Sequence, residues 1–132
     1  MPPRYRSVYL SGRHLRSPEL NAVKSDLEAA GIEVTSTWLS GTRAPEGVTD
    51  PNWLARVSRT DIERADAYVL LGDERGDSGH RHVEFGIAMG LNKSILVVAS
   101  EPENLWQRLQ SVTVVPDWDA ARKVLVSGGT KD

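Results

Sequence analysis

The chain has no cysteine among its 132 residues. That absence excludes a disulfide framework, a thiolate metal site and a cysteine nucleophile together. No apolar run approaches the ~20 residues of a membrane span. The opening Met1-Pro2-Pro3-Arg4-Tyr5-Arg6 also lacks the apolar core of a signal peptide, so a cytoplasmic protein without membrane attachment is expected. Neither sign of charge is blocked: 16 basic and 18 acidic residues are interspersed, for a formal charge of -2. This argues against a general nucleic-acid surface. Internal repeats and low-complexity segments are absent. So are the G-x-S-x-G elbow, the dinucleotide glycine fingerprint, the P-loop and any evident Ser-His-Asp order. What remains is a length suited to a single domain over residues 1–132, with 1–6 and 127–132 as frayed ends.

The informative stretch runs from Gly72 to Gly90. Ala67-Tyr68-Val69-Leu70-Leu71 before it and Ile95-Leu96-Val97-Val98 after it are short, unbroken apolar runs, which read as buried parallel strands. Between them lie a polar glycine-containing loop and a helical pattern that Gly90 is expected to end at its C′ position. This is a βαβ unit, whose loop opens at the carboxyl edge of the sheet where open α/β sheets bind ligands. The helix text Val83-Glu84-Phe85-Gly86-Ile87-Ala88-Met89-Gly90 is apolar nearly all round except for Glu84. An unpaired buried carboxylate is costly. Glu84 therefore either serves the helix dipole and pairs with Arg81 or Arg13, or it works as a functional group. Asp77, His80 and His82 cluster with it, which favours function.

The rest of the chain alternates in the same way. Ser7-Val8-Tyr9-Leu10 reads as a strand and Ser11-Gly12-Arg13-His14 as the loop at its carboxyl end. Glycine there lets the backbone come close and arginine offers a bidentate fork, so the loop either holds a phosphate or ribose or is a plain turn. Ser17-Pro18 opens a helix with Ser17 as N-cap, Leu20, Val23, Leu27 and Ala30 recur at helical spacing, and Gly31 stops it. Ile32 to Trp38 alternates as an edge strand. Leu39 to Thr49 reads as a loop at the ligand edge, where Trp38 or Trp53 either covers a base or packs in the core. Asp50-Pro51 starts a second helix. Glu103 to Leu109 makes a short helix, Val112 to Val115 a fifth strand, and Pro116-Asp117 leads into a last helix. Five strands alternating with helices predict an α/β, flavodoxin-like (Rossmann-like) parallel sheet of order 2-1-3-4-5 with helices on both faces.

Three segments resemble the nucleoside 2-deoxyribosyltransferase family, which includes the related deoxynucleoside 5′-monophosphate N-glycosidases. They are Tyr9-Leu10-Ser11-Gly12-Arg13, Ala65 to Leu71, and Gly79-His80-Arg81-His82-Val83-Glu84-Phe85-Gly86-Ile87-Ala88 with Asn92 to Ile95. The resemblance implies that Glu84 is the nucleophile. It implies that Tyr9 lies near the sugar, and that Ser11, Gly12, Arg13 and Ser78 face a 5′-phosphate; Gly79 and Gly86 are small where a ligand beside Glu84 needs room, and His80 is expected among the substrate contacts. The family's helix aspartate falls by count on Ser58 here, and Asp61, one turn further on, is the candidate for it. Asp66 marks the strand entrance. A proton for the leaving base is expected from Asp77, Asp61 or a loop histidine, while His80 and Arg81 can instead help hold a phosphate.

The expected chemistry is cleavage of the N-glycosidic bond of a nucleoside or its 5′-monophosphate through a glutamyl-glycosyl intermediate, with transfer to a base or to water. The alternatives are an NAD or ribonucleotide glycohydrolase, since Toll-type NAD hydrolases also use a glutamate on an open α/β sheet, and a nucleotide-binding module without turnover. No cofactor or metal is expected, because His80 and His82 point apart on a helix and His14 lies across the first loop. A homodimer is expected, with the helices near Trp53 and Phe85 at its core. The transferases complete their pockets with an asparagine near the C-terminus, and the tail after Val126 has no such Asn.

Overall fold

In the computed structural model, which describes residues 4–13, 16–72 and 79–127, the five apolar runs form one parallel sheet. Its strands are β1 (Ser7–Ser11), β2 (Glu33–Val34), β3 (Ala67–Leu71), β4 (Ser94–Val98) and β5 (Val112–Val115). They lie in the order β2-β1-β3-β4-β5, every pairing parallel, so the flavodoxin-like α/β expectation holds. β1 and β3 are buried along their whole length, as strands covered on both faces must be. The helices are α1 (Ser17–Ala29), α2 (Trp53–Arg64), α3 (His80–Gly90) and α4 (Trp118–Val126). α1 and α4 are tied by Asp26, whose carboxylate accepts from Trp118 Nε1 at 3.3 Å and Arg122 Nε at 2.7 Å. α2 and α3 pack against each other.

Local chemistry sets the element ends. α1 stops where expected: Gly31 takes φ 90°, and the amides of Gly31 and Ile32 return to the carbonyls of Glu28 and Leu27, a Schellman cap. α3 runs past the expected stop, because Gly90 is its last helical residue and Asn92 takes the left-handed position at φ 58°. The amides of Asn92 and Lys93 then bond the carbonyls of Met89 and Ala88, and Asn tolerates that conformation through its short polar side chain. Ser17 is not an N-cap but the first residue of α1, with Pro18 second and Arg16 before them. α2 begins at Trp53, since Asp50 first holds the Asn52 amide at 2.8 Å in a turn. The 103–109 segment closes only a 3-10 turn, Leu105–Arg108, capped by the Asn104 side chain.

β2 is much shorter than its alternation predicts, and Ser36 is the reason. Its hydroxyl accepts from the Leu10 amide at 2.6 Å and donates to the Leu10 carbonyl at 3.1 Å. A side chain thus replaces the main chain in the ladder, and the backbone turns away into the 3-10 turn Thr37–Ser40. Trp38 follows inward and donates Nε1 to the same Leu10 carbonyl at 3.0 Å, which makes it a core residue. Asp66 marks the strand entrance as read: its carboxylate accepts from the Arg6 amide at 2.9 Å, and its own amide donates to Ser7 Oγ at 3.0 Å. Among the described residues no helix is long and apolar enough to cross a membrane.

Candidate active site between β1, β3 and α3

The chain passes from β1 to one side for β2 and to the other for β3, so the sheet's switch point lies between β1 and β3. Alternation puts Tyr9 and Ser11 on one face of β1, and the register sets Tyr9 beside Tyr68. Their rings stack, with centroids 5.8 Å apart and planes 7° from parallel. Phe85 meets Tyr68 edge-on at 6.2 Å and 79°, an arrangement worth about 0.5–1.5 kcal/mol beyond the area it buries. The Tyr68 hydroxyl donates to the Arg81 carbonyl at 3.0 Å, and the buried Arg81 guanidinium pairs with Glu103 at 3.6 Å. The first turns of α3 are thereby fixed over the strands, and Glu84 is delivered to the switch point.

Both carboxylate oxygens of Glu84 are held. Tyr9 donates its hydroxyl to Oε2 at 3.0 Å and Ser11 donates to Oε1 at 2.8 Å. The buried Ser58 of α2 lies near the Tyr9 hydroxyl, and the Ser11 hydroxyl adjoins that of Tyr68. Burial pushes the Glu84 carboxyl above its ordinary value, while the bonds from Ser11 and Tyr9 and the charge of His80 oppose the rise. Burial, and then the Glu84 charge, push the Tyr9 and Tyr68 phenols far up, so both remain donors at neutral pH. A carboxylate that is partly desolvated yet fixed at both oxygens is a preorganised nucleophile or base.

The remaining residues singled out from the sequence distribute unevenly. Tyr9 and Ser11 are each fully buried, so Tyr9 serves core and site at once. Gly12 follows in the loop, where an added Cβ would sit 3.1 Å from Leu20 Cδ1 and 3.4 Å from Leu71 Cβ; this close approach is what glycine is needed for. Arg13 is half-buried beside it, and its carbonyl accepts from the Arg16 amide at 2.9 Å. His80 opens α3 and is exposed, with Gly79 as its N-cap. Among the described residues nothing lies within 4 Å of a Cβ added at Gly79 or Gly86. Asp77, Ser78 and His14 lie outside the described residues. Arg81 pairs with Glu103 and not with Glu84.

Asp61 is buried, but its bonds lead away from Glu84. Its carboxylate accepts from the Thr37 amide at 2.9 Å and meets Arg64 at 3.5 Å, while its carbonyl accepts from Thr35 Oγ1 at 2.9 Å. It fastens α2 to the segment that leaves β2. The α2 residue that reaches the site's network is Ser58, a polar side chain on the buried face that helical spacing already marks. Asp61→Ala is expected to destabilise the protein by about 1.5–3 kcal/mol, the range for a hydrogen bond to a charged group, as read from denaturant unfolding. Asp61→Asn keeps an acceptor for Thr37 and is expected to retain both stability and whatever turnover the wild type has. A large loss of turnover at unchanged stability would return Asp61 to the chemistry.

Sequence reasoning missed two further contributors. Tyr68 was read only as strand, although its register opposite Tyr9 places its phenol at the site. Arg16 donates Nη1 to the Gly72 carbonyl at 2.7 Å and so ties the loop after β1 to the carboxyl end of β3.

No protein-family model matches the chain, and a search of curated proteins found no match. Solved structures do match. The CMP N-glycosidase BcmB of Clostridium botulinum superposes with a TM-score of 0.60 at 17% identity, over 83% of this chain and 87% of that one. The 2-deoxyribosyltransferase of Bacillus psychrosaccharolyticus superposes with a TM-score of 0.67 at 16% identity, over 95% of this chain and 92% of that one. The chain has the fold of these enzymes. The likeness spans nearly the whole length of each partner, so it is a likeness of whole domains.

Proposed function

We propose that the protein cleaves the N-glycosidic bond of a nucleoside 5′-monophosphate or nucleoside. The observation that carries this is Glu84, held through both oxygens by Tyr9 and Ser11 at the switch point of the sheet. The fold shared with a CMP N-glycosidase and a 2-deoxyribosyltransferase supports it. Glu84 attacks the anomeric carbon, the bond to the base breaks through an oxocarbenium-like transition state, and a glycosyl ester forms. Water or a second base then opens the ester. The Tyr9 and Ser11 donors keep the carboxylate ionised before attack and aim it.

The 5′-phosphate falls to the loop after β1. Ser11 gives its only hydroxyl proton to Glu84, so in this reading the anion is met by the backbone of the Gly12–Arg13 turn that follows. Each charge-assisted contact is worth about 1.5–3 kcal/mol, or roughly one to two powers of ten. The test is turnover on a panel of deoxynucleosides, ribonucleosides, their monophosphates and NAD, with and without an acceptor base. Release of base from a monophosphate at least about tenfold more efficiently than from its nucleoside is expected. Equal efficiency would remove the phosphate role, cleavage of NAD alone would favour the glycohydrolase reading, and binding without turnover would favour a sensing module.

The dimer needs a different core from the one the sequence suggested. Phe85 is buried within the chain against Tyr68, so it is not free to face a partner. The exposed face of α3 carries Val83, which is 63% exposed, with Gly86 and the half-buried Ile87 one turn on; association through this face is the form we propose. Sedimentation at micromolar concentration is expected to give about twice the 14.5 kDa chain mass, and Val83→Glu to lower it to one chain. A monomeric wild type would remove this part of the proposal.

A further inference from the structure

The reading above leaves open which group moves the protons. The two side chains bonded to Glu84 are unsuited to it: Ser11 is an alcohol, and the Tyr9 phenol is held protonated by burial and by the Glu84 charge. Asp61 is engaged with Thr37 and Arg64. His80 is placed differently. It is the first residue of α3 and is exposed, and Glu84 comes four residues later on the same helix. Residues at that spacing share a face, with Cβ atoms about 5–6 Å apart. The His80 charge is felt at Glu84, where it opposes the upward push of burial. Open space lies beside Gly79, next to His80, among the described residues. Imidazole is the side chain most often used for proton transfer at neutral pH.

We propose that His80 is the acid–base residue of this site, working with Glu84 across one turn of α3; this rests on the glycosidic reading of the preceding subsection. In the first half-reaction Glu84 forms a C–O bond to the anomeric carbon as the C–N bond breaks. The bonding pair goes to the base nitrogen, and the His80 imidazolium supplies the proton that neutralises the departing base. In the second half-reaction the neutral imidazole takes a proton from water, or from the N–H of an acceptor base, as that nucleophile attacks the anomeric carbon. The ester bond breaks and its electron pair returns to the Glu84 carboxylate. His80 and Glu84 end as they began.

The test separates bond breaking that needs a proton from bond breaking that does not. His80→Gln is assayed for kcat/KM on the best substrate of the panel, and for the rate at which 2-deoxy-2-fluoroarabinosyl fluoride, carrying a 5-phosphate if that substrate does, adds one sugar mass to the protein. Fluoride leaves without a proton on a base nitrogen. The expected result is a fall in turnover of about a hundredfold to ten-thousandfold with labelling within a few-fold of wild type and an unchanged melting temperature, since His80 is exposed. A parallel fall of both rates would assign His80 to holding substrate or phosphate and overturn the proposal. Unchanged turnover would overturn it equally. Glu84→Gln is the control: if that variant still labels and turns over, the glycosidic reading fails and not the role of His80 alone.

Discussion

Replacing Glu84 with glutamine is expected to remove turnover, by roughly ten-thousandfold or more, while leaving the fold at least as stable as it was. The amide keeps the shape and an acceptor for Tyr9 or Ser11 but cannot form the glycosyl ester. The stability half follows from linkage. Burial raises the folded-state pKa of the Glu84 carboxyl above its ordinary value, so the folded protein binds that proton more tightly than the unfolded chain does. Between the two pKa values the folded state holds more protons, and stability falls as pH rises through that window and levels off above it. At neutral pH wild-type Glu84 therefore opposes folding, a cost that active sites commonly carry. Melting curves from pH 4 to 8 should show the wild type losing ground to the glutamine variant as pH rises. A variant that melts well below wild type at neutral pH would make Glu84 a structural residue.

Tyr9→Phe and Ser11→Ala each take one donor from Glu84, and each is expected to lower kcat/KM at pH 7 by about tenfold to a hundredfold. A charge-assisted hydrogen bond is worth about 1.5–3 kcal/mol, and each 1.4 kcal/mol or so is one power of ten. Both bonds lower the Glu84 pKa against the upward push of burial. Either substitution should then raise that pKa, and the acid limb of the pH–kcat/KM profile should move to higher pH. The other groups that bear on Glu84 are His80 and, by direct charge interaction, Tyr68. They remain in both variants, so the limb should move without vanishing. A profile that keeps its acid limb in place while activity falls would mean that the two hydroxyls serve packing alone.

Local patterns carried most of the architecture and little of the site. The runs at 67–71 and 95–98 and the spacing of Leu20, Val23 and Leu27 are signals within one element, and each was legible. β2 was overread because its alternation says nothing of Ser36, whose hydroxyl competes with the backbone for Leu10. Glycine is the usual left-handed residue, so the sequence points to Gly90 as the stop of α3, yet Asn92 fills that place. The helix text from Val83 is apolar nearly all round, and Val83 stands on its exposed face. Within the site, Glu84 was marked by the cost of a carboxylate on an apolar helix. Tyr9 and Ser11 were marked as site residues by the resemblance, but not as partners of Glu84, because they lie 75 and 73 residues away in sequence and only the packing of α3 over β1 and β3 brings them together. The resemblance sets Ser11 against a phosphate and makes Asp61 the candidate for the family's helix aspartate. The bonds that each makes are set by tertiary packing, which spacing does not encode.

The proposed chemistry turns on a covalent bond between Glu84 and the sugar. Incubation of the wild-type protein with a 2-fluoroarabinosyl nucleoside or its 5′-monophosphate, followed by intact-mass measurement and peptide mapping, tests it. The fluorine slows opening of the ester more than its formation, so the intermediate should persist. One added sugar mass is expected on the peptide that holds Glu84, and none on Glu84→Gln. An adduct on any other residue, or turnover of natural substrate by a wild type that never carries the adduct, would contradict it.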